Sequence, residues 1–444
     1  MRTLPTNAQK LLVVGQRLAA GTVPALQPKS VFSGDQAALY FGAGSLAHIA
    51  AVAAITANPY VALTVIGVDD AAAGQPAVGT VVFAGTATAD GAFALFVGNK
   101  RIDIATYSGD TAAVIAARMA DQLTQNTALP VAADAPNATL TLTAKNKGDA
   151  GNGIIVSQLN QTSGITTTIT PLAGGLNDPD ISPALAAVFG AQYDIYAVCY
   201  PTQTTLTKLR AHLDSISGPL EQRPAIGVAA TPGTLAAGTT LTGQINEGRI
   251  TVGWHPGSVC LPAELAAVYA AVIASEEDPA MPLDTLALTG LDVTPLTSRP
   301  GRTEQENALN NGLTPFEVGP GDVVQIVRAI STYTKDAQGI DDPALLDITT
   351  IRTLDYTRKA MLQRIALRFP RSKLSERTPP KVRSELLDVA YKLEELEILE
   401  NVDANKNNLI VERDEQDVNR LDAAIPADVV NGLHVFAGRI DLLL

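Results

Sequence analysis

The sequence has few of the residues that carry enzyme chemistry or cross-links. Among 444 residues it contains two cysteines, four histidines, one tryptophan and 5% aromatic residues in total. Cys199 and Cys260 are far apart and lie in apolar surroundings, which indicates two buried thiols and not a disulfide framework. Because the histidines are isolated as well, no spacing suits a zinc site. They are His48, His212, His255 and His434.

Long apolar runs are also missing. A membrane helix needs about 18 uninterrupted apolar residues. The alanine-rich stretches at 49–56 and 263–274 are too short or contain a carboxylate. The first ten residues lack the basic segment and apolar core of a secretory signal. We therefore expect a soluble protein that is made in the cytoplasm and is not inserted into a membrane.

Net positive charge is absent. The formal charge is −13, whereas phosphate backbones attract basic surfaces, so we expect no nucleic-acid partner. The distribution is uneven, because residues 352–383 are strongly basic and residues 385–403 are mostly acidic. Adjacent blocks of opposite charge are typical of a surface that docks a partner or a second copy of the chain. Two solvated helix faces would give the same pattern.

Catalytic motifs are scarce too. There is no G-x-S-x-G motif, and the one histidine near possible nucleophiles is His255, in WHPGSVC with Ser258 and Cys260. The tryptophan and proline beside it favour a packed loop. The run LVVGQRLAAG at 12–21 follows an expected strand but lacks the residues of a P-loop or dinucleotide site. No catalytic or cofactor-binding residue is predicted.

One segment partly matches a calcium-binding loop. Asp403, Asn405 and Asn407 occupy the first three ligand positions of an EF-hand. Asn408 stands where glycine is needed, and Asp414 stands where a bidentate glutamate is usual. The segment is therefore predicted to be a polar turn, and no metal site is predicted.

The first half of the chain contains two sequence patterns that predict different kinds of structure. KLLVVGQ at 10–16 is typical of a buried strand, and a helix is expected from about 36 to 56, so residues 1–59 are assigned to an α/β core. Residues 60–175 contain short Thr- and Val-rich runs, beginning with VALTVIGV, separated by turn residues. This pattern predicts an inserted all-β sandwich or small barrel. One helix, capped by Asp110, interrupts it.

The second half returns to an α/β pattern. Residues 176–320 alternate helices with the apolar strands DIYAVCY, AIGVAA and ITVGW, which favours a doubly wound, largely parallel sheet. Residues 321–444 are predicted to form an α+β unit, with helices from Pro343 to Phe369 and from Thr378 onward. LIVER and the terminal LHVFAGRIDLLL (433–444) are expected strands. Because the terminal strand is so apolar, it needs a partner edge in its own domain or in another chain.

Three ordered blocks of the last third resemble the Mu-like contractile tail sheath family of bacteriophages. They are DVVQIVRAISTYTKDAQGIDDPALLDITTIRTLDYTRKAMLQRI, FPRSKLSERTPPKVRSELLDVAYKLEE and ENVDANKNNLIVERDEQDVNRLDAAIPADVVNGLHVFA. YSGDTAAVIAARMADQLTQN and SEEDPAMPLDTLALTGLDVTP, earlier in the chain, resemble the same family.

The resemblance implies a structural role and no enzymatic activity. Sheath subunits of this kind form six-membered rings that stack around a tail tube, contract and drive the tube through the host envelope. The implied fold is a non-catalytic, subtilisin-like α/β domain with an inserted outer β domain and an α+β C-terminal domain. The implied partners are other copies of the chain, the tail tube, the baseplate and the tail terminator. The implied location is the virion, with assembly in the host cytoplasm and no cofactor.

Two alternatives remain at this point. One is the sheath of a phage-derived injection device, and the other is a divergent enzyme with a pocket near His255. In sheaths of this family, exchanged terminal arms add strands to a neighbour's sheet. About nine residues precede KLLVVGQ here, fewer than the family's usual N-terminal arm, so polymerisation of this chain alone is in doubt.

The resemblance also selects candidate interface residues. For contact with the tube we select the basic side chains of the first C-terminal helix and its end, and for the C-terminal arm we select three apolar residues. These are Arg358, Arg364, Arg368 and Arg371, and Leu433, Val435 and Phe436.

Overall fold

The computed structural model describes residues 4–439 and 441. Its strands are β1 (Lys10–Gln16), β2 (Pro28–Ser30), β3 (Ala62–Val68), β4 (Val78–Gly85), β5 (Gly91–Val97), β6 (Lys100–Thr106), β7 (Val131–Asp134), β8 (Thr139–Ala144), β9 (Val156–Asn160), β10 (Ile165–Ala173), β11 (Ile195–Val198), β12 (Ile226–Thr231), β13 (Ile250–Trp254), β14 (Thr314–Gly319), β15 (Val323–Ile326), β16 (Ile410–Arg413) and β17 (Leu421–Ala424).

The α-helices alternate with these strands in the central part of the chain and dominate its last quarter. They are α1 (Gly34–Phe41), α2 (Leu46–Ala57), α3 (Ala112–Gln125), α4 (Ser182–Ala187), α5 (Gln203–Ser217), α6 (Leu235–Ile245), α7 (Pro262–Ser275), α8 (Arg302–Asn310), α9 (Ile348–Arg368), α10 (Thr378–Glu395) and α11 (Val402–Asn405).

An eight-stranded sheet forms the centre of the molecule, in the order β15-β14-β13-β12-β11-β1-β3-β2. The six strands from β14 to β3 are parallel to their neighbours, and an antiparallel strand closes each edge. Residues 11–16 of β1 and all of β13 are buried, as expected for parallel strands covered on both faces. Helices α2 and α7 pack together and against the central strands. The predicted α/β core is present.

Strand β3 corrects the prediction for VALTVIGV. The sequence analysis placed this run in the β-rich insertion, but β3 pairs with β1 in parallel from Ala62 to Val68. Its residues Val65–Val68 are all buried, which suits a strand covered on both faces better than one in a half-exposed sheet. The division of the chain at residues 60, 176 and 321 stays a prediction.

The predicted single helix at 36–56 is two helices. Gly42, with φ of +88°, ends α1 and donates its backbone N–H to the carbonyl of Ala38. That conformation is strained for any residue with a Cβ, so the chain turns there. Ser45 then starts α2, because its side chain accepts a hydrogen bond from the backbone N–H of His48.

The β-rich region consists of two antiparallel sheets, ordered β10-β4-β8-β7 and β6-β5-β9. The rings of Phe83 and Phe93 meet between them, with centroids 5.1 Å apart. Helix α3, the helix that was predicted to interrupt this region, packs against strands of both sheets through its buried apolar face. Its N-cap, however, is Thr111. Asp110 instead forms an ion pair with Arg118 at 2.8 Å.

The C-terminal unit contains α9, α10 and the hairpin β16–β17. Helix α9 begins at Ile348 and not at Pro343, because residues 343–347 run as a loop whose last member, Asp347, bonds Arg328. The second helix does begin at Thr378, although its N-cap is Arg377. LIVER forms β16, which confirms that prediction.

The terminal strand expected at 433–444 is not formed within the single chain over the residues that the structure describes, whereas a strand paired with another chain stays a prediction. Residues 433–439 and 441 are in no strand, and Ile440 and residues 442–444 lie outside the described residues. The physical reason is that no described strand of the same chain runs beside this segment. Without a neighbouring strand its backbone has no ladder of hydrogen bonds to join.

Both cysteines are buried and unpaired, as predicted. Burial raises the pKa of the Cys199 thiol to about 12.

His212 is a buried, titratable part of the core. Its ring lies on α5 between Phe189 and Tyr196, with centroid distances of 5.9 and 5.3 Å, and its Nε2 has no hydrogen-bond partner. Burial, and then the charge of Arg223, lower its pKa to about 4. The folded state therefore resists protonation of this ring.

This environment predicts acid sensitivity. Because the folded pKa is depressed, stability present above about pH 6.5 should be lost as the pH falls towards 4, by up to about 3 kcal/mol. The variant His212→Leu should show a flatter decline when urea unfolding is measured across that range. Parallel curves for the two proteins would contradict the assignment.

Candidate functional site

Helix α9 is bonded to the eight-stranded sheet through a largely buried ion pair. Arg249, directly before β13, donates from Nη1 and Nη2 to the two carboxylate oxygens of Asp355 at 2.7 and 2.9 Å. Their side chains are 16% and 17% exposed. Bidentate pairs of this kind fix both distance and orientation. The pair therefore sets how α9 lies on the sheet.

Two further arginines of α9 bond backbone carbonyls of the core. Arg358 donates to the carbonyls of Ser217 and Gly218 at 2.6 and 2.9 Å, at the C-terminus of α5 where the helix dipole favours a cation. Arg352 is buried and donates to the carbonyl of Glu276, just after α7. Three elements of the core thus hold the first half of α9.

The second half of α9 is joined to α10 by charge. Arg364 has a side chain only 5% exposed and contacts Glu385 at 3.1 Å and Asp388 at 2.6 Å. Arg368 is 53% exposed and contacts the other oxygen of Glu385 at 2.9 Å. Hydrogen bonds from Arg368 and then Arg364 hold the pKa of Glu385 below its ordinary value. The adjacent basic and acidic blocks of the sequence therefore meet, at least partly, within one chain.

The four predicted arginines do not form one surface. Arg364 and Arg368 share Glu385, Arg358 lies at the end of α5, and Arg371 is exposed just after α9. Arg364 is buried and Arg358 is half-buried, whereas Arg371 and Arg368, although the latter is bonded to Glu385, are exposed to solvent.

A groove of about 580 Å³ runs between α9, α10 and the hairpin β16–β17. Within the hairpin, Ile410 pairs with Ala424 and Arg413 with Leu421, and no other described strand pairs with either outer edge. The groove is therefore an apolar channel beside unpaired strand edges. Its apolar lining includes Met361, Ile365, Phe369, Val382, Val411 and Leu421.

Both terminal segments are attached to the same region. Near the N-terminus, the carbonyl of Pro5 accepts from the Tyr356 hydroxyl at 2.8 Å, and the carbonyl of Thr6 accepts from Lys359 at 3.1 Å. Near the C-terminus, the His434 ring lies 2.7 Å from Asp284. The N-terminal segment thus contacts the middle of α9, whereas the C-terminal segment contacts Asp284 and lies 3.4 Å from Asp347, the N-cap of α9.

The predicted arm residues are exposed. Leu433, Val435 and Phe436 are 81%, 64% and 88% exposed, which is unusual for a short run of large apolar side chains. None of the described residues 433–439 lines the apolar groove of the same chain. The apolar segment and the apolar groove are therefore both uncovered in the single subunit.

His255 and Ser258 are part of a packed loop. Both are 1% exposed, the ring Nε2 lies 2.8 Å from the backbone carbonyl of Asp292, and the Ser258 hydroxyl donates to the Asp292 carboxylate. The ring thus contacts the backbone of Asp292, whereas the hydroxyl bonds that residue's side chain. Burial lowers the pKa of His255. Asp292 was not selected by sequence reasoning, because it lies 37 residues from His255 and belongs to no local motif.

The EF-hand-like segment folds as a polar turn. Asp403 accepts hydrogen bonds from the Tyr391 hydroxyl at 3.0 Å and from Lys406 at 2.6 Å, within α11 and the turn that follows. Within residues 4–439 and 441, no group of three or more His, Cys, Asp or Glu side chains is arranged to hold a metal ion. Among those residues there is also no helix long and apolar enough to cross a membrane.

Comparison with known proteins identifies the family. A family model described as the phage tail sheath protein central domain matches residues 174–332, and one for the phage tail sheath C-terminal domain matches residues 341–442. The chain is also 33% identical over 462 residues to the Mu-like prophage FluMu tail sheath protein of Haemophilus influenzae, covering 99% of this chain and 94% of that protein. The chain belongs to the phage tail sheath family. It is a structural subunit of a tail sheath, and the family resemblance noted in the sequence is confirmed.

Solved structures of sheath proteins share the fold. The sheath tail protein of Desulfitobacterium hafniense has a TM-score of 0.54 at 15% identity, covering 98% of this chain and 96% of that one. The sheath tail protein of Listeria innocua gives 0.54 at 14% identity, covering 96% and 93%. A chain of the six-fold symmetrised baseplate of the anti-feeding prophage gives 0.54 at 10% identity, covering 100% and 95%. The mixed α/β architecture with several sheets is therefore a sheath-protein fold.

The two arginines that share Glu385 give a matched pair of variants. Arg364→Met removes a buried guanidinium and should lower the free energy of unfolding by about 2 kcal/mol. Arg368→Met removes an exposed one from the same carboxylate and should cost less than about 1 kcal/mol. Urea unfolding monitored by circular dichroism measures both. Equal losses would contradict the different roles given to the two side chains.

Proposed function

We propose that this sheath subunit assembles into six-membered rings that stack around a tail tube and contract to drive the tube through a host envelope. Its membership of the phage tail sheath family is the observation that carries the proposal. A chain of similar fold in the six-fold symmetrised anti-feeding prophage baseplate supports the ring size. The tube, the baseplate and the tail terminator would be its other partners.

The proposed location is the tail of a virion assembled in the host cytoplasm. The α/β unit corresponds in this proposal to a subtilisin-like fold, and the two-sheet β region to an outer decoration. No enzymatic activity is proposed. The burial of His255 and Ser258 supports this, because a nucleophile and its base must reach a substrate.

Contraction without a chemical fuel requires two stable arrangements of the same subunits. Many small interface differences, multiplied over a helical array, would supply the free-energy difference. The contacts of α9 with both the sheet and α10 support a subunit that moves as one rigid body. Rearrangement would then occur between subunits and not within them.

The link between neighbours is the C-terminal segment in this proposal. Its apolar residues Leu433, Val435 and Phe436 would enter the groove of the next subunit while the backbone pairs with an open edge of β16–β17. Main-chain hydrogen bonds would hold such an added strand, and they do not depend on side-chain identity. The exposed apolar segment and the uncovered apolar groove support this occupant.

The tube-facing surface is proposed to include Arg368 and Arg371. Both are exposed at the end of α9, and long-range attraction to an acidic tube would persist while the surfaces slide. Arg358 and Arg364 belong to the same basic block, but their bonds within the chain give them a structural role in this proposal and no contact with the tube.

Removing the apolar character of the segment tests the arm. The triple variant Leu433→Asp, Val435→Asp and Phe436→Asp should leave the monomer folded but abolish sheaths, because charged side chains cannot enter an apolar groove without a large desolvation cost. The assay is electron microscopy of a Mu-like prophage whose own sheath gene is replaced by this one. Leu296→Asp, at a residue 79% exposed elsewhere, is the matched control. Normal sheaths from the triple variant would exclude the segment as the link.

Charge reversal tests the tube contact. Arg371→Glu leaves the bonds to Glu385 intact, and combined with Arg368→Glu it reverses two exposed charges. Both variants should reduce sheathed tubes in the same assay, the double variant more strongly, and the loss should be smaller at low pH values where an acidic tube is neutralised. Lys100→Glu with Arg101→Glu, on the β-rich region, controls for net charge. Fully sheathed tubes from the double variant would rule out this contact.

A further inference from the structure

We propose that His434 is a positioning residue that fixes the root of the C-terminal segment on its own subunit and so directs Leu433, Val435 and Phe436 outward to a neighbouring copy of the chain. The direction of the segment towards a neighbour rests on the proposed arm exchange. The attachment itself is a property of the single subunit.

The His434 ring lies between two carboxylates from separate parts of the fold. Its Nδ1 is 2.7 Å from an oxygen of Asp284, and its Nε2 is 3.4 Å from an oxygen of Asp347. The three side chains are 13%, 19% and 20% exposed. The bond to Asp284 holds the largely buried ring, whereas Nε2 makes no hydrogen bond and lies in contact with Asp347 only.

The charges around the ring favour this arrangement. Arg328 donates to both oxygens of Asp347 at 2.8 and 2.7 Å, and so largely neutralises that carboxylate. Asp284 has no comparable guanidinium partner among the described contacts, and its second oxygen is buried without a hydrogen bond. Glu306, on α8, adds a more distant negative charge near Arg328. The N–H of the His434 ring is thus the main group that stabilises the carboxylate of Asp284.

A second contact holds the chain beside the ring. A Cβ built on Gly432 would lie 2.8 Å from Cγ of Pro282, so the backbone there passes too close to the loop for a side chain. Gly432 and His434 together seat the segment against residues 282–284. The side chains on either side of His434 then point away from the subunit, which explains why they are exposed.

The attachment lies at the joint between the α/β core and α9. Asp284 belongs to the loop region after α7, and Asp347 is the N-cap of α9. A segment that is bonded to Asp284 and packed beside Asp347 leaves the subunit at a fixed place relative to the groove-bearing unit. A link between rigid subunits needs such a fixed origin, since a freely swinging arm would have to be ordered at each binding event.

A distance measurement on the full chain tests the attachment. Spin labels on Leu39→Cys, in α1, and on Ala437→Cys report the position of the segment, while Cys199 and Cys260 are buried and should stay unlabelled. We expect one narrow distance distribution. His434→Ala and Asp284→Ala should each replace it with a broad one, the double variant should be no broader than either, and His434→Gln, which keeps a donor for Asp284, should restore most of the narrow component.

The outcomes separate the attachment from the arm exchange. A narrow distribution in His434→Ala, or effects of the two single variants that add in the double variant, would overturn the role of His434. A broad distribution together with normal sheaths for His434→Ala in the prophage assay would overturn the role of His434 in directing the segment, while arm exchange itself would be excluded by normal sheaths from the triple variant. A broad distribution together with failed or irregular sheaths would support both. Val435→Ala, which changes an exposed neighbour, should keep the narrow distribution.

Discussion

The bidentate bond between Arg249 and Asp355 joins the eight-stranded sheet to helix α9 and so to the C-terminal unit. Arg249 precedes a central strand of the large sheet, and Asp355 lies in the first half of α9. Burying the two charges is costly, and their attraction offsets that cost only in good geometry. Breaking the pair would leave one charge buried and uncompensated. The bond therefore contributes less to net stability than to fixing one orientation of α9.

Helix α9 carries that orientation to the rest of the C-terminal unit. Its residues Ile348 and Ile351 belong to the large hydrophobic core, whereas Tyr356, Ala360 and Met361 belong to a second core shared with α10. One continuous helix thus spans two apolar clusters. Because packed cores and buried ion pairs resist gradual deformation, the natural place for a large rearrangement is the surface between subunits.

The uncovered surfaces of the single subunit agree with a rearrangement between subunits. The groove, the open edges of the hairpin and the apolar C-terminal segment all belong to the second cluster or lie beside α9. In an isolated chain, these surfaces would favour aggregation. In a sheath they become interfaces, which gives a physical reason for leaving them uncovered.

Much of the architecture was predictable because it depends on local patterns. Runs such as KLLVVGQ and ITVGW are short and wholly apolar, and the spacing of Ile115, Met119 and Leu123 indicates a helix face. Strand β3 was misplaced because an apolar run has the same appearance in either sheet, and only long-range pairing decides between them. The terminal strand was expected to have a partner edge in its own domain or in another chain, and no described strand of its own chain lies beside it.

The functional surface was predictable only in part, and the reason is distance along the chain. Asp355 pairs with Arg249 across 106 residues, and His434 reaches Asp284 across 150. No periodicity links such positions. The basic block was recognisable, but the sequence could not distinguish Arg364, which is buried against α10, from Arg368, which is exposed. The family resemblance identified the role of the chain where local chemistry identified none.

The most direct test is a pair of electron cryomicroscopy structures of the assembled sheath, one extended and one contracted, at a resolution that shows side chains. If the subunit is one rigid body, the eight-stranded sheet and the α9–α10 unit should superpose together in both states, with Arg249 bonded to Asp355 in each. Separation of α9 from the sheet in either state, with that bond broken, would contradict the rigid-body account and place the movement inside the subunit.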